Sequence, residues 1–294
     1  MKTSYLTNLI LIVVVGLLYW LNAHEAEDGK TTTTLSQVST KSIDNIIISQ
    51  SKRDDIILAK QGEVWQLTHP IQTHANPTRI NLLLSLLSSH TYRQQTVSEQ
   101  QNLEQFGFNN NSTRLQLADQ LFVFGGVEPI SQQRYLLHND IIYLIEDTIS
   151  PLLNTSASSF IDNRLLPNSH ITKLTLPLYQ QQDITNNTLT VSLSEGHWKS
   201  NPKHASGKLI SLVDSWQHAY ALQVIPFDTI SEKLVQYVKH NVLIWLENRT
   251  APLQLTLYLS DNALFIVNTE LKLAYQFPRM LYQQLLLTTV TNDA

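Results

Sequence analysis

Cysteine is absent from this 294-residue chain. That absence excludes disulfides, thiolate metal sites, iron–sulfur clusters, cysteine nucleophiles and a lipid anchor built on cysteine. Glycine is scarce, at 8 residues, too few for the tight loops that cradle phosphates. No phosphate loop, dinucleotide fingerprint, Gly-x-Ser-x-Gly elbow or His-Glu-x-x-His helix occurs. Charge is sparse as well: 15% of residues are charged and the formal net charge is −4. Phosphate backbones are bound by clustered Lys and Arg, so nucleic acid is not expected as a partner. What remains is 43% hydrophobic, above the composition of a disordered chain. At 33.5 kDa the chain is long enough for two cores.

The longest apolar run is Tyr5 to Leu21, broken only by Thr7 and Asn8 and followed by Glu25, Glu27 and Asp28. As a helix this run rises about 26 Å, close to the hydrocarbon thickness of a bilayer. Tyr19 and Trp20 close it as interfacial aromatics would, and Lys2 lies on the presumed cytoplasmic side. Cleavage after Ala23 is disfavoured because Leu21 is not small. The expectation is a transmembrane anchor over 1–22, a polar tether over 23–42, and a folded part outside the cytoplasm. That makes the protein a single-pass protein of a bacterial inner membrane, with a cytoplasmic N-terminus and a periplasmic bulk.

The folded part reads as one pattern written twice. Ile43 to Gln50 and Asp55 to Lys60 are strand-like, Trp65 and Pro70 follow, and Asn76 and Pro77 open an amphipathic helix carrying Ile80, Leu83, Leu84 and Leu87. A shorter helix is predicted from Ser98 to Gly107, and four strands at Arg114 to Ala118, Leu121 to Phe124, Arg134 to Leu137 and Ile141 to Ile145. The second half repeats the order: strands at Ile171 and Thr188, then Trp198 and Pro202, a helix within 204–219, a second from Asp228, four strands, and a terminal helix after Pro278. The offset is 133 between the tryptophans, 132 between the prolines and 132 between Tyr143 and Tyr275. A near-constant offset predicts two repeats, 43–167 and 168–294. The fold class expected is α+β, with the transmembrane helix followed by two similar repeats of antiparallel sheet with helices packed on them.

No acid/base constellation stands out, and neither catalytic residues, cofactors nor metal ligands are assigned. The double glycine at Gly125 and Gly126 reads as a turn between strands. Asp162 and Arg164 read as a local ion pair. Candidate contacts for a ligand or partner are Trp65, Trp198, Arg134 and Tyr135. The tryptophans more economically pack a strand end against a helix, and the Arg134 hairpin could offer a strand edge to a partner.

The stretches "VWQLTHPIQTHANPTRINLLLSLL", "FGGVEPISQQRYLLHNDIIYLIEDTISPLLN" and "FIDNRLLP" resemble the bacterial family called domain of unknown function 4340. The resemblance covers most of residues 1–167 and continues more faintly beyond. It implies a membrane-anchored envelope protein, encoded beside an ABC-type export system, and supplies no catalytic residues. The function expected is therefore a non-enzymatic, membrane-anchored periplasmic binding or scaffolding protein, accessory to an ABC-type transporter or another envelope complex. A periplasmic peptide- or glycan-binding protein is the alternative reading, and an envelope hydrolase with a non-standard site the third.

Overall fold

Apolar residues that alternate with polar ones over four to eight positions make half-buried strands, and this chain is built mostly of them. The computed structural model describes residues 12–17, 19–20, 34–167, 169–180 and 183–288. Nine strands form the first antiparallel sheet: β1 (Asn45–Ser49), β2 (Ile56–Gln61), β3 (Val64–His69), β4 (Thr73–His74), β5 (Thr91–Thr96), β6 (Arg114–Leu117), β7 (Gln120–Val127), β8 (Arg134–His138) and β9 (Ile141–Ile145). Their order across the sheet is β4-β3-β2-β1-β6-β7-β8-β9-β5. The second sheet contains β10 (Ile171–Gln180), β11 (Asp183–Ser194), β12 (His197–Asn201), β13 (Gln223–Pro226), β14 (His240–Leu246), β15 (Leu253–Leu259), β16 (Ala263–Asn268) and β17 (Leu273–Pro278). Its order is β12-β11-β10-β14-β15-β16-β17-β13. Apart from the two-residue β4, the two sheets follow one strand order, with Trp65 on β3 and Trp198 on β12, and Tyr143 on β9 and Tyr275 on β17.

The helices are few and short. They are α1 (Pro77–Leu84), α2 (Ser150–Leu153), α3 (Ser206–Gln217), α4 (Ser231–Leu234) and α5 (Tyr282–Leu285), with single turns of 3-10 helix between elements. The expected α+β class with helices packed on each sheet is thus corrected to a mostly β architecture. The predicted helix after Ser98 shrinks to the 3-10 turn Leu103–Phe106, capped by Asn102 and ended by Gly107 at φ 79°. The helix predicted from Asp228 shrinks to α4, where Leu234 is buried while Val235 and Val238 are 75% and 68% exposed. Ile230, Leu234 and Tyr237 still pack together on Tyr258, Val267 and Ala274, so this apolar face is buried over short turns rather than along one continuous helix.

The expected transmembrane helix is corrected too. Among the described residues no helix is long and apolar enough to cross a membrane. Residues 12–17 and 19–20 are helical, but the rest of the stretch 1–22, and the tether up to residue 33, lie outside the described residues. A single-pass inner-membrane protein with a periplasmic bulk is therefore not supported.

The chain gathers into two compact units: Met1–Ile57 with Asn81–Asn154, and Leu58–Ile80 with Thr155–Ala294. Within the first, Ile46 and Ile48 on β1 face Leu117 and Leu115 on β6, and all four are buried. The β8–β9 hairpin turns through Asn139 and Asp140, both left-handed at φ 48° and 58°, as a two-residue primed turn requires. Gly125 and Gly126 are not a turn; they lie inside β7, where the register with β8 shifts between Phe124 and Val127. A β-carbon on Gly125 would stand 2.5 Å from the Phe106 carbonyl oxygen and 2.7 Å from the Phe108 ring. The 3-10 turn thus lies directly on the glycine backbone.

Within the second unit Trp216 on α3 is fully buried, and its indole N–H donates to the Leu285 carbonyl at 2.7 Å. Trp65 and Trp198 are only half-buried. Trp216→Ala is expected to lower the free energy of unfolding by about 3–5 kcal/mol, and Trp65→Ala or Trp198→Ala by less than about 2 kcal/mol, measured by urea denaturation. Gly125→Ala should destabilise by about 1–3 kcal/mol through overpacking against Phe106 and Phe108; a neutral Gly125→Ala would contradict that packing.

Candidate functional site

The sequence "HANPTR…FIDNRL" builds the polar centre of the second unit. Pro77 cannot donate a backbone hydrogen bond and suits the first helical position. Asn76 caps α1, its Oδ1 accepting from Thr78 N–H at 3.1 Å and Arg79 N–H at 3.2 Å. The segment Phe160 to Leu165 runs as an extended strap with backbone partners on both sides. On one side the Phe160 carbonyl accepts from Asn76 N–H at 2.7 Å and Asp162 N–H donates to the His74 carbonyl at 2.9 Å. On the other, Leu165 N–H donates to Ala219 at 3.0 Å, and Ala221 N–H donates to the Asn163 carbonyl at 2.8 Å.

Asp162 is the most buried charged residue of this strap, at 2% exposure. Arg164 satisfies it as a fork: Nε donates to both carboxylate oxygens, at 3.1 and 2.9 Å, and Nη2 to Oδ2 at 2.5 Å. The Arg164 backbone N–H adds a fourth bond at 3.0 Å. The hydrogen bonds it donates to Asp162 hold the Arg164 guanidinium above its ordinary value. Burial pushes the Tyr275 phenol up, and the Asp162 charge adds to that. His74 moves the other way: burial lowers it, against an upward pull from Asp162 and with a smaller downward push from Arg164. Its Nδ1 lies 2.8 Å from Gln66 Nε2, which can only donate, so that nitrogen accepts.

Beside the strap lies a cleft of ≈ 580 Å³, within the range of about 300–1,000 Å³ usual for ligand sites. Arg79, Ser156, Ser158, Ser159 and Asn163 form one wall and Leu222 to Pro226 with Thr229 the other. Asn163 is fixed by Asn76 Nδ2 at 3.2 Å and by its own Nδ2 donating to the Ala221 carbonyl at 2.8 Å. The second wall is β13, an edge strand whose one neighbour in the sheet is β17. Phe227 N–H donates to Lys272 at 2.7 Å. By antiparallel alternation Ile225 and Gln223 also turn their backbone groups to β17, which leaves the N–H and C=O of Val224 on the open side. No acidic side chain lines the cleft. Arg79 is half-buried, and its guanidinium has no hydrogen-bonding or ionic partner among the described residues.

The four residues singled out from sequence lie elsewhere. Trp65 is on β3, its carbonyl accepting from Ala75 N–H at 2.9 Å, and Trp198 on β12 faces Leu193 on β11. Arg134 is held at 2.5 Å by Asp147 and at 2.6 Å by the Gly125 carbonyl. Its neighbour Tyr135 points to the other face of β8 and meets Phe106 edge-on at 5.0 Å. The β8–β9 hairpin is internal, and β5 occupies the sheet edge next to it. Arg79 was missed although a signal existed. A cation in the first turn of a helix opposes the helix dipole, so its presence there needs another reason. Among the described residues no group of three or more His, Asp or Glu side chains could hold a metal ion.

His74 and the buried His240 are both lowered mainly by desolvation, with Asp183 pulling His240 upward. A folded-state value below the unfolded one, about 6.5, means the unfolded chain takes up protons first, so stability falls as pH drops below that value. Urea unfolding at pH 7 and pH 5.5 should show this loss, and His74→Gln should reduce it; an unchanged loss would remove His74 from the account.

Residues 65–235, more than half of the chain, match the family model described as domain of unknown function (DUF4340), and every residue lining the cleft lies inside that stretch. No curated protein and no solved structure matches the chain. With that match and the strap, cap and edge strand it encloses, the chain belongs to the DUF4340 family.

Proposed function

We propose that this protein is a binding module that takes an extended segment of a partner protein against β13. The observation that carries this reading is the open edge at Val224 facing a ≈ 580 Å³ cleft walled by hydroxyl and amide side chains. An edge strand recognises polypeptide through main-chain hydrogen bonds, while flanking pockets read alternate side chains. Leu222, Ile225 and Pro226 supply apolar contact, and Ser159 and Gln223 polar contact. The scaffolding role implied by the family resemblance fits the same geometry, and transporter subunits are the first partners to try. A glycan reading receives less support, because neither Trp65 nor Trp198 lines this cleft.

A random peptide library selected against the full chain should yield binders that protect amides 222–229 from hydrogen exchange. Val224→Pro, which deletes the open-edge N–H, should abolish their binding, whereas Val224→Ala should keep it. Selected peptides indifferent to Val224→Pro, in a variant whose melting temperature is preserved, would contradict recognition at β13.

A further inference from the structure

A guanidinium placed in a partly desolvated cleft without a counter-ion is costly unless a ligand supplies the charge. Arg134 and Arg164 show how this protein treats arginines it needs for structure: each is closed on a carboxylate, Asp147 and Asp162 respectively. Arg249 likewise meets Glu270 at 3.0 Å. Arg53, Arg114 and Arg279 have no acid but donate to backbone carbonyls instead, those of Asn154, Ser112 and Ser260. Arg79 differs from all of these: it is half-buried, lines the cleft among neutral neighbours, and its guanidinium has no partner of either kind among the described residues. The nearby groups that could have been acids are hydroxyls and amides. Ser156 and Ser158 bond each other at 2.9 Å, and the Gln223 side chain is held at 2.6 Å by Gln276. The side chain of Ser159 has no partner among the described residues.

We infer that Arg79 receives a carboxylate of the segment bound along β13, with the Ser159 hydroxyl donating to the same group. This rests on the peptide-binding reading above and names the chemistry that reading selects. A monoanion matches the single guanidinium. A phosphate dianion would leave one charge unmatched, because no second cation lines the cleft. Guanidinium and carboxylate also pair through two parallel hydrogen bonds, which fixes the direction of the bound chain as well as its presence. The carboxylate has two sources, the C-terminus of the partner or an Asp or Glu side chain, and both present the same planar pair of oxygens.

The test uses fluorescence anisotropy with peptides selected on the full chain, each synthesised with a free C-terminus, as the C-terminal amide, and with each Asp or Glu changed to Asn or Gln. One of these neutralisations is expected to weaken binding to the wild type by at least about tenfold. Arg79→Gln should remove that difference, and Arg79→Lys should restore part of it. Loss on C-terminal amidation assigns the terminus; loss on a side-chain change assigns Asp or Glu. If every neutralised peptide binds the wild type as tightly as its parent, while Val224→Pro still abolishes binding, the carboxylate assignment is overturned and edge recognition survives. If no peptide binds the wild type, both fall together.

Discussion

A carboxylate buried to the extent of Asp162 is costly unless it is matched at close range. Much of the second unit is arranged around that requirement. Arg164, two residues on, closes on Asp162 as a fork, which forces the strap into an extended path between them. The extended path presents backbone groups on both edges, and these bond to residues 74–76 on one side and 219–221 on the other. Asn163, between the paired residues, is left to reach Asn76 and the Ala221 carbonyl. The start of α1, the position of Arg79 and the approach to β13 all hang on this one compensated charge. Breaking a buried pair by removing one partner costs far more than the pair contributes, so the strap is a point of vulnerability rather than a surplus of stability.

The sequence showed the parts whose signals are local. Asn76 and Pro77 open α1 as capping rules require, and the strands expected at Arg134 and Ile141 form β8 and β9. The local pair of Asp162 with Arg164 was legible from spacing; its burial and its place between two segments were not, because both depend on partners about 60 to 90 residues away in sequence. Other parts were misread for the same reason. The double glycine is explained by the turn at Phe106 lying on it, a contact invisible in "FGGVEP". "TYRQQT" carries almost no apolar alternation, yet it forms β5 because an exposed edge strand needs only one neighbour. The segments after Ser98, Asp228 and Pro278 contain good helix formers, yet each folds as short turns, with Ile230, Leu234 and Tyr237 and then Tyr282, Leu285 and Leu286 still packed into the core.

None of the four candidate contacts lines this cleft. Large aromatics and a strand-borne arginine are conspicuous in sequence, but Arg134 is neutralised by Asp147 and the tryptophans belong to the ends of sheet strands. What distinguishes an arginine available to a ligand is a half-buried guanidinium left without any partner, and that is a property of the folded neighbourhood. Arg79 has it. The same neighbourhood supplies a directional edge at Val224, so one cleft offers both main-chain pairing and a charge to anchor one end of the bound chain.

The dependence of this cleft on the strap is most directly tested by native-state hydrogen exchange on Asp162→Asn. Amides at Asn76, Asp162, Leu165 and Ala221 should lose protection together with those of β13, while the amides of β8 and β9 keep theirs. If only the amide at position 162 changes, or if β13 is protected as in the wild type, the strap does not hold the cleft and the account of this unit is wrong.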